Sequence, residues 1–304
     1  MINNSFHIIS PSGVIDPTLI DGAKERLTQW GFTATEGAHA RNVSGRFAGT
    51  DEERLNDIEE AFKSPQVRYI LCSRGGYGLQ RLAKRLYESP LQGCFGKTII
   101  GFSDITILHQ VMAMRGIPTL HAFMCKGLSE LPDDSAALQA WHDAVAGRNL
   151  HYTFTGDALS PHNHYGAVHG KIFGGNLSVL YGLQGTRLSL NEVIRQQCSG
   201  EDTPILFIED IGEQHYHIER MLLNLQMSGI FDQIGGLIVG QFTDCEPDEK
   251  MGETIYETIA RVTARYSIPK LFNFPAGHIP ENNPIWFGKT SVLEINKDNA
   301  SLYM

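Results

Sequence analysis

The stretch I-L-C-S-R-G-G-Y-G-L-Q-R-L, residues 70–82, is followed closely by K-T-I-I-G-F-S-D-I-T-I-L, residues 97–108. Each reads as a buried apolar strand that meets a sharp turn and then a helix. Outward from this pair the same alternation continues. F-H-I-I-S near the start is a short apolar run, and D-P-T-L-I-D-G-A-K-E-R-L-T-Q-W-G after it has helical spacing and a closing glycine. In A-G-T-D-E-E-R-L-N-D-I-E-E-A-F, Thr50 and Glu53 form a capping box ahead of Leu55, Ile58 and Phe62. A helical run through D-I-T-I-L-H-Q-V-M-A-M-R-G and a strand P-T-L-H complete the series. Strands alternating with helices predict a parallel sheet covered on both faces.

The texture changes at G-R-N-L-H-Y-T-F-T-G-D-A-L-S-P-H-N-H-Y-G-A-V-H-G, which is rich in Gly, His, Asn and Pro. The expectation is an α/β domain over 1–145, a linker over 146–168, and a β-rich C-terminal domain over 169–304. The last contains strand-like G-K-I-F-G-G, P-I-L-F-I-E-D, G-G-L-I-V-G-Q-F and S-V-L-E-I, with helices at H-I-E-R-M-L-L-N-L-Q-M-S-G and K-M-G-E-T-I-Y-E-T-I-A-R-V-T-A-R-Y.

Bulk properties exclude several functions. A net charge of −9 leaves no basic stripe for a nucleic-acid backbone. No apolar run approaches a membrane span, and M-I-N-N-S-F-H-I-I-S-P-S-G lacks a signal peptide's basic and apolar regions. Five scattered cysteines without a C-x-x-C point to reduced thiols in the cytoplasm. The glycine turn lacks G-x-G-x-x-G spacing. Neither Gly96-Lys97-Thr98 nor Gly288-Lys289-Thr290 has the upstream glycine of a phosphate loop, since Leu91 and Asn283 stand there. His215 and His217 share a face if extended, but no third metal ligand is evident.

Three groups have the makings of a nucleophile system. Ser103 follows a strand, with Gly101 two residues before it as a cramped elbow requires; Ile105 replaces the second glycine. The ordinary reading of such a serine is a helix N-cap. If Asp104 takes that role, the Ser103 hydroxyl is left free. Glu209 and Asp210 end an apolar strand, where a carboxylate needs a partner: a helix terminus, Arg220 or a histidine. His278 lies in N-F-P-A-G-H-I-P-E-N-N, a loop set by Gly and Pro. The turn R-G-G-Y-G either serves only positive φ at Gly75, Gly76 or Gly78 or brings amides to an oxyanion.

In combination P-S-G at 11–13, R-F-A-G-T-D-E-E-R-L at 46–55, R-G-G-Y-G at 74–78, G-F-S-D at 101–104, F-G-G-N-L-S-V-L at 173–180, F-I-E-D with I-E-R-M-L, and A-G-H at 276–278 resemble the LD-carboxypeptidase family of serine peptidases. The resemblance spans nearly the whole chain. It implies a cleft between the two domains, Ser103 as nucleophile, Glu209 as orienting acid and His278 as general base. It implies backbone amides of Gly76 and Asp104 as the oxyanion hole, and neither metal nor cofactor. Arg74 and Asn176 are candidate substrate contacts. The implied reaction removes the terminal D-Ala from the muropeptide stem tetrapeptide, cutting the bond from meso-diaminopimelate, in cytoplasmic peptidoglycan recycling by a homodimer. Two alternatives stand beside it. One is a microcin-immunity-type hydrolase of peptide-nucleotide conjugates, which His162, His164 and Tyr165 in the linker do not decide. The other is a non-catalytic muropeptide-binding protein.

Overall fold

Strand β3 (Tyr69–Cys72) and strand β4 (Thr98–Gly101) pair in parallel at the centre of the first sheet. They belong to a computed structural model that describes residues 5–198 and 203–304. Every residue of β3 is buried, as expected of a strand covered on both faces. Tyr69 and Leu71 point into one core with Phe6, Ile20, Leu27 and Trp141, while Ile70 and Cys72 point into another with Ile58, Phe62 and Val111. This alternation is the period of two that a strand imposes. The parallel array is completed by β1 (Ser5–Ile9), β2 (Thr33–Glu36) and β5 (Thr119–His121).

The helices of this half follow their sequence signals. Asp16 caps the helix Pro17–Gln29, with proline in the first turn. Thr50 and Glu53 form the reciprocal capping box of the helix Asp51–Lys63. The helix Thr106–Ala113, immediately after the serine turn, is buried along its whole length. Such a helix must be covered on all sides, and the second domain covers part of it.

The second sheet is built from β6 (His151–Thr155), β7 (Gly166–Asn176), β8 (Thr203–Ile211), β9 (Gly236–Thr243) and β10 (Lys270–Leu271), then β12 (Thr290–Ile295) and β13 (Asn299–Tyr303). Its order is β10-β9-β8-β7-β12-β13-β6, parallel from β10 to β7 and antiparallel beyond. Between these strands in sequence, β11 (Ile285–Phe287) leaves its own domain and pairs antiparallel with β5 at the edge of the first sheet.

Two expected boundaries are corrected here. The segment 146–168 is not only a linker: it supplies all of β6 and the start of β7. Strand β6 is an edge strand with one half-buried face, so its apolar signal is weak. The range 169–304 is not one self-contained unit either, because β11 belongs to the first sheet.

The two sheets meet at the end of β7. Gly175 has φ of 134°, and a Cβ built there would lie 2.4 Å from Thr106 Oγ1. The next amide, Asn176 N–H, donates to that same Thr106 oxygen at 3.0 Å. Gln110 Nε2 donates to Gly174 O. The F-G-G-N glycines therefore let one domain's strand end dock on the helix that follows the serine. Gly175→Val is expected to cost roughly 2–4 kcal/mol, through strain and loss of this joint. Chemical denaturation checks this, and a change within 0.5 kcal/mol would contradict the joint.

Candidate active site

The loop after β4 turns sharply because Ser103 adopts φ of 66°, a left-handed conformation uncommon for a residue with a side chain. The turn folds Ile105 back over Gly101, where a Cβ would meet Ile105 Cγ1 at 2.9 Å and Cys72 Cβ at 3.2 Å. Gly101 is thus required, and Ile105 fills the place of a second elbow glycine.

Ser103 is not an N-cap: no side chain makes a capping bond to either the short 3₁₀ turn Ser103–Ile105 or the helix after it. Asp104 does not cap that helix either. Its Oδ2 accepts from Ser12 Oγ at 2.7 Å and from Leu79 N–H at 2.9 Å. The carboxylate thereby ties three segments together: the P-S-G loop, the glycine turn and the serine turn. Burial raises the Asp104 pKa, against the opposing pull of these bonds and of Arg54.

The glycine turn lies directly beside Ser103. Gly75 has no positive φ; it is glycine because a Cβ would stand 2.9 Å from Ser103 Cβ and 3.1 Å from Ser103 Oγ. Gly76 and Gly78 do have positive φ, at 105° and 147°. Gly13 N–H donates to Gly75 O at 3.1 Å, which pins this turn to the P-S-G loop. Among the described residues, the amides of Gly76 and Asp104 donate to no other protein group.

The second set of groups comes from the other sheet. Glu209 is fully buried, and its Oε2 accepts from His278 Nδ1 at 2.7 Å. The register of β8 against β9 shifts here, from Ile208 opposite Val239 to Asp210 opposite Phe242, so β9 carries one extra residue, at Gly240–Gln241, opposite Glu209. Gly277, at φ of 128°, allows the approach: a Cβ there would come within 2.9 Å of Glu209 Oε2. Asn282 Oδ1 holds Gly277 N–H, and Glu281 accepts from Ser135 Oγ and Ala137 N–H of the first domain. The His278 loop is therefore fastened at both ends. The rings of His278 and Phe102 meet edge to face at 4.9 Å, which sets the imidazole beside the serine turn. Among the described residues, Ser103 Oγ makes no hydrogen bond to His278.

Three opposing effects set the His278 pKa. Burial is the largest and lowers it; the bond to Glu209, with the charges of Glu209 and then Asp210, raises it, and the net result is a rise above 6.5. Asp210 faces away from His278. It accepts from Asn176 Nδ2, Ser178 N–H and Ile211 N–H, and burial followed by the Glu209 charge pushes it to about 7.

The remaining sequence candidates land differently. Asn176 is buried: Nδ2 bonds Asp210 while Oδ1 caps the helix Leu177–Gly182. These bonds brace the joint between β7 and β8. Arg74 is exposed, and its Nη1 donates to Val14 O at 2.8 Å. No carboxylate among the described residues pairs with it. Arg220 packs on the Tyr216 ring and leaves Glu209 to His278. His215 sits in the first turn of the helix His215–Met227 and bonds Thr258, so His215 and His217 do not share an extended face. His164 pairs through its backbone with Lys270, and His162 packs against the Phe272 ring.

The sequence offered P-S-G only as part of a resemblance, so the positions of Ser12 and Gly13 against the two turns were not legible in it, nor was the extra residue of β9 opposite Glu209. Nor was His121, buried behind Phe102 with both ring nitrogens unpartnered and burial holding it neutral. The only available signal was that P-S-G sits at the end of the first strand.

A strained serine turn beside a glycine turn, facing a carboxylate-bound histidine, is the arrangement of a serine hydrolase. The comparisons narrow the class. Residues 6–122 match the LD-carboxypeptidase N-terminal domain and residues 169–293 match its C-terminal domain. The murein tetrapeptide carboxypeptidase of Pseudomonas aeruginosa is 30% identical over 300 residues, covering 97% of this chain and 95% of that one. The crystal structure of muramoyltetrapeptide carboxypeptidase from Oxalobacter formigenes superposes with a TM-score of 0.80 at 26% identity, covering 98% of both chains. A microcin C7 self-immunity protein, solved with aspartyl sulfamoyl adenosine, superposes at 0.78 with 20% identity over 100% of this chain and 97% of that one, a likeness of fold. The chain belongs to the LD-carboxypeptidase family, and it is a serine-type carboxypeptidase.

Glu209→Gln removes the charge that raises the His278 pKa and leaves the burial that lowers it. NMR titration of the imidazole is expected to move from above 6.5 in the parent to below 6.5 in the variant. An unchanged titration would contradict the pairing. Because the folded pKa is raised, the ion pair's stabilisation is complete below pH 6.5 and fades as pH rises through the folded value.

Proposed function

We propose that this enzyme removes the terminal D-Ala from the muropeptide stem tetrapeptide, in cytoplasmic recycling of peptidoglycan, with Ser103, His278 and Glu209 as its catalytic groups. The observation that carries the reading is the buried 2.7 Å bond between His278 and Glu209, set beside a serine held at φ of 66°.

Glu209 accepts a hydrogen bond from Nδ1–H, which leaves Nε2 as the basic nitrogen. His278 Nε2 takes the Ser103 proton as Oγ attacks the carbonyl carbon of diaminopimelate. The amides of Gly76 and Asp104, otherwise unengaged, face the developing oxyanion. His278 then returns the proton to the departing D-Ala amine, leaving an ester on Ser103. Water, deprotonated by the same imidazole, hydrolyses the ester and frees the tripeptide. Glu209 stabilises the imidazolium formed in each half-reaction.

Arg74 is the candidate for a substrate carboxylate. It is exposed beside the glycine turn with no carboxylate partner, and a guanidinium suits bidentate pairing. Asn176, the other candidate contact, is buried and gives one Nδ2–H to Asp210 and its Oδ1 to the helix cap, so any bond to substrate would come from its second Nδ2–H.

Mass spectrometry of wild type and Ser103→Ala, each incubated with the free tetrapeptide, tests the reading. Wild type is expected to release D-Ala, and the variant to fall by about 10³-fold or more, leaving only background catalysis. Release by both folded proteins would overturn the nucleophile. Release by neither would overturn the substrate.

A further inference from the structure

At the end of the first sheet opposite the serine turn, Arg68, Lys97 and Lys289 collect without a carboxylate partner among the described residues, while Lys63, which lines the same region, pairs with Glu59 and Glu60. Two adjoining cavities, of about 330 and 290 Å³, share Arg68, Phe95, Gly96 and Lys97. The second is closed on its far side by Trp286 and Lys289. Strands β3 and β4 are four residues long, so this groove lies roughly 13 Å or more from the glycine and serine turns.

Three features mark it as a built site. No Asp or Glu lines either cavity, in a chain whose net charge is −9. Its cations are held in place: Lys289 Nζ sits 3.2 Å over the Trp286 ring, the Arg68 guanidinium lies over Tyr69, and Lys97 Nζ donates to Val67 O. Neither Arg68 nor Lys289 has a carboxylate partner among the described residues. The like charges also oppose each other. Burial, and then Arg68, pull the Lys289 ammonium down to about 8. Phe95 is 77% exposed at the rim, an apolar surface that the fold itself does not use.

We propose that this groove is a second ligand site, taking a small molecule with an oxyanion, carboxylate or phosphate, between Arg68 and Lys289. The Arg68 fork supplies paired donors and Lys289 a point charge. Phe95 gives an apolar wall for the ligand's body. The site joins the two sheets' sequences: Arg68 precedes β3, whereas Lys289 follows β11, the strand that continues from the His278 loop. A bound anion would fasten β11 to the first sheet, which makes the site a means of stabilising the base's loop from the opposite end.

Thermal unfolding at constant ionic strength tests this with two probes, inorganic phosphate and malonate. The parent is expected to gain about 2–4 °C in Tm for each tenfold excess of probe over its Kd. Trp286 emission should change over the same concentration range. Arg68→Gln and Lys289→Met are expected to lose both responses, and Lys289→Arg to keep them. Lys84→Met, a charge-matched change elsewhere, should leave them intact. A response to phosphate alone or malonate alone assigns the oxyanion; a response to both assigns a general oxyanion site. No response in the parent, or an equal response in Arg68→Gln and Lys289→Arg, would overturn the proposal.

Discussion

The hydrogen bond from His278 to Glu209 is the interaction on which the proposed site depends, and it forms away from the proposed nucleophile, Ser103. Glu209 ends a strand of the second sheet, whereas Ser103 follows a strand of the first. A serine hydroxyl is a weak nucleophile near neutral pH and needs a base in reach with a fixed tautomer. The fold must therefore hold two sheets in register to within fractions of an ångström. It does so at the Gly175–Thr106 contact, through the Glu281 bonds to the Ser135 end of a first-domain helix, and by lending β11 to the first sheet. All three ties lie on segments next to the proposed catalytic groups: Thr106 after the Ser103 turn, and Glu281 and β11 after His278.

Buried charge is distributed with the same logic. Glu209 and Asp210 are adjacent and both buried, yet they face different tasks. The first orients an imidazole. The second collects donors from the cap of the next helix, and its own titration is displaced to about 7. Asp104 works similarly in the first domain, gathering Ser12 and Leu79 N–H. Asp104 and Asp210 each carry a desolvation cost that their donors offset only in part. Such expense is typical of residues that fix position at a site.

The parts legible in sequence were those with a local physical signature. The capping box at Thr50, the apolar strands 69–72 and 98–101, and the small residue at Gly101 all reflect constraints within a few residues. The G-F-S-D and A-G-H motifs also drew attention, because their glycines and their punctuation were unusual for core segments. What could not be read was set by distant pairing. Nothing in H-Y-T-F-T shows that it closes the edge of the second sheet, nor in I-W-F that it leaves its neighbours for β5. The partners of Asn176 could not be read either: Asp210 reaches it only when β7 and β8 pair, and the amide of Val179 only when the next helix starts. Gly75 is similar: its reason for being glycine is a Ser103 side chain 28 positions away in the chain.

The claim that the two sheets contribute nucleophile and base to one reaction is tested most directly by trapping its intermediate. Rapid acid quench of the enzyme with tetrapeptide, followed by intact and peptide-level mass spectrometry, reads the acyl-enzyme. The account predicts a tripeptidyl ester on the peptide containing Ser103. It also predicts that this ester forms far more slowly in His278→Ala, although Ser103 is untouched. An ester at another residue, or equally fast acylation without His278, would contradict it.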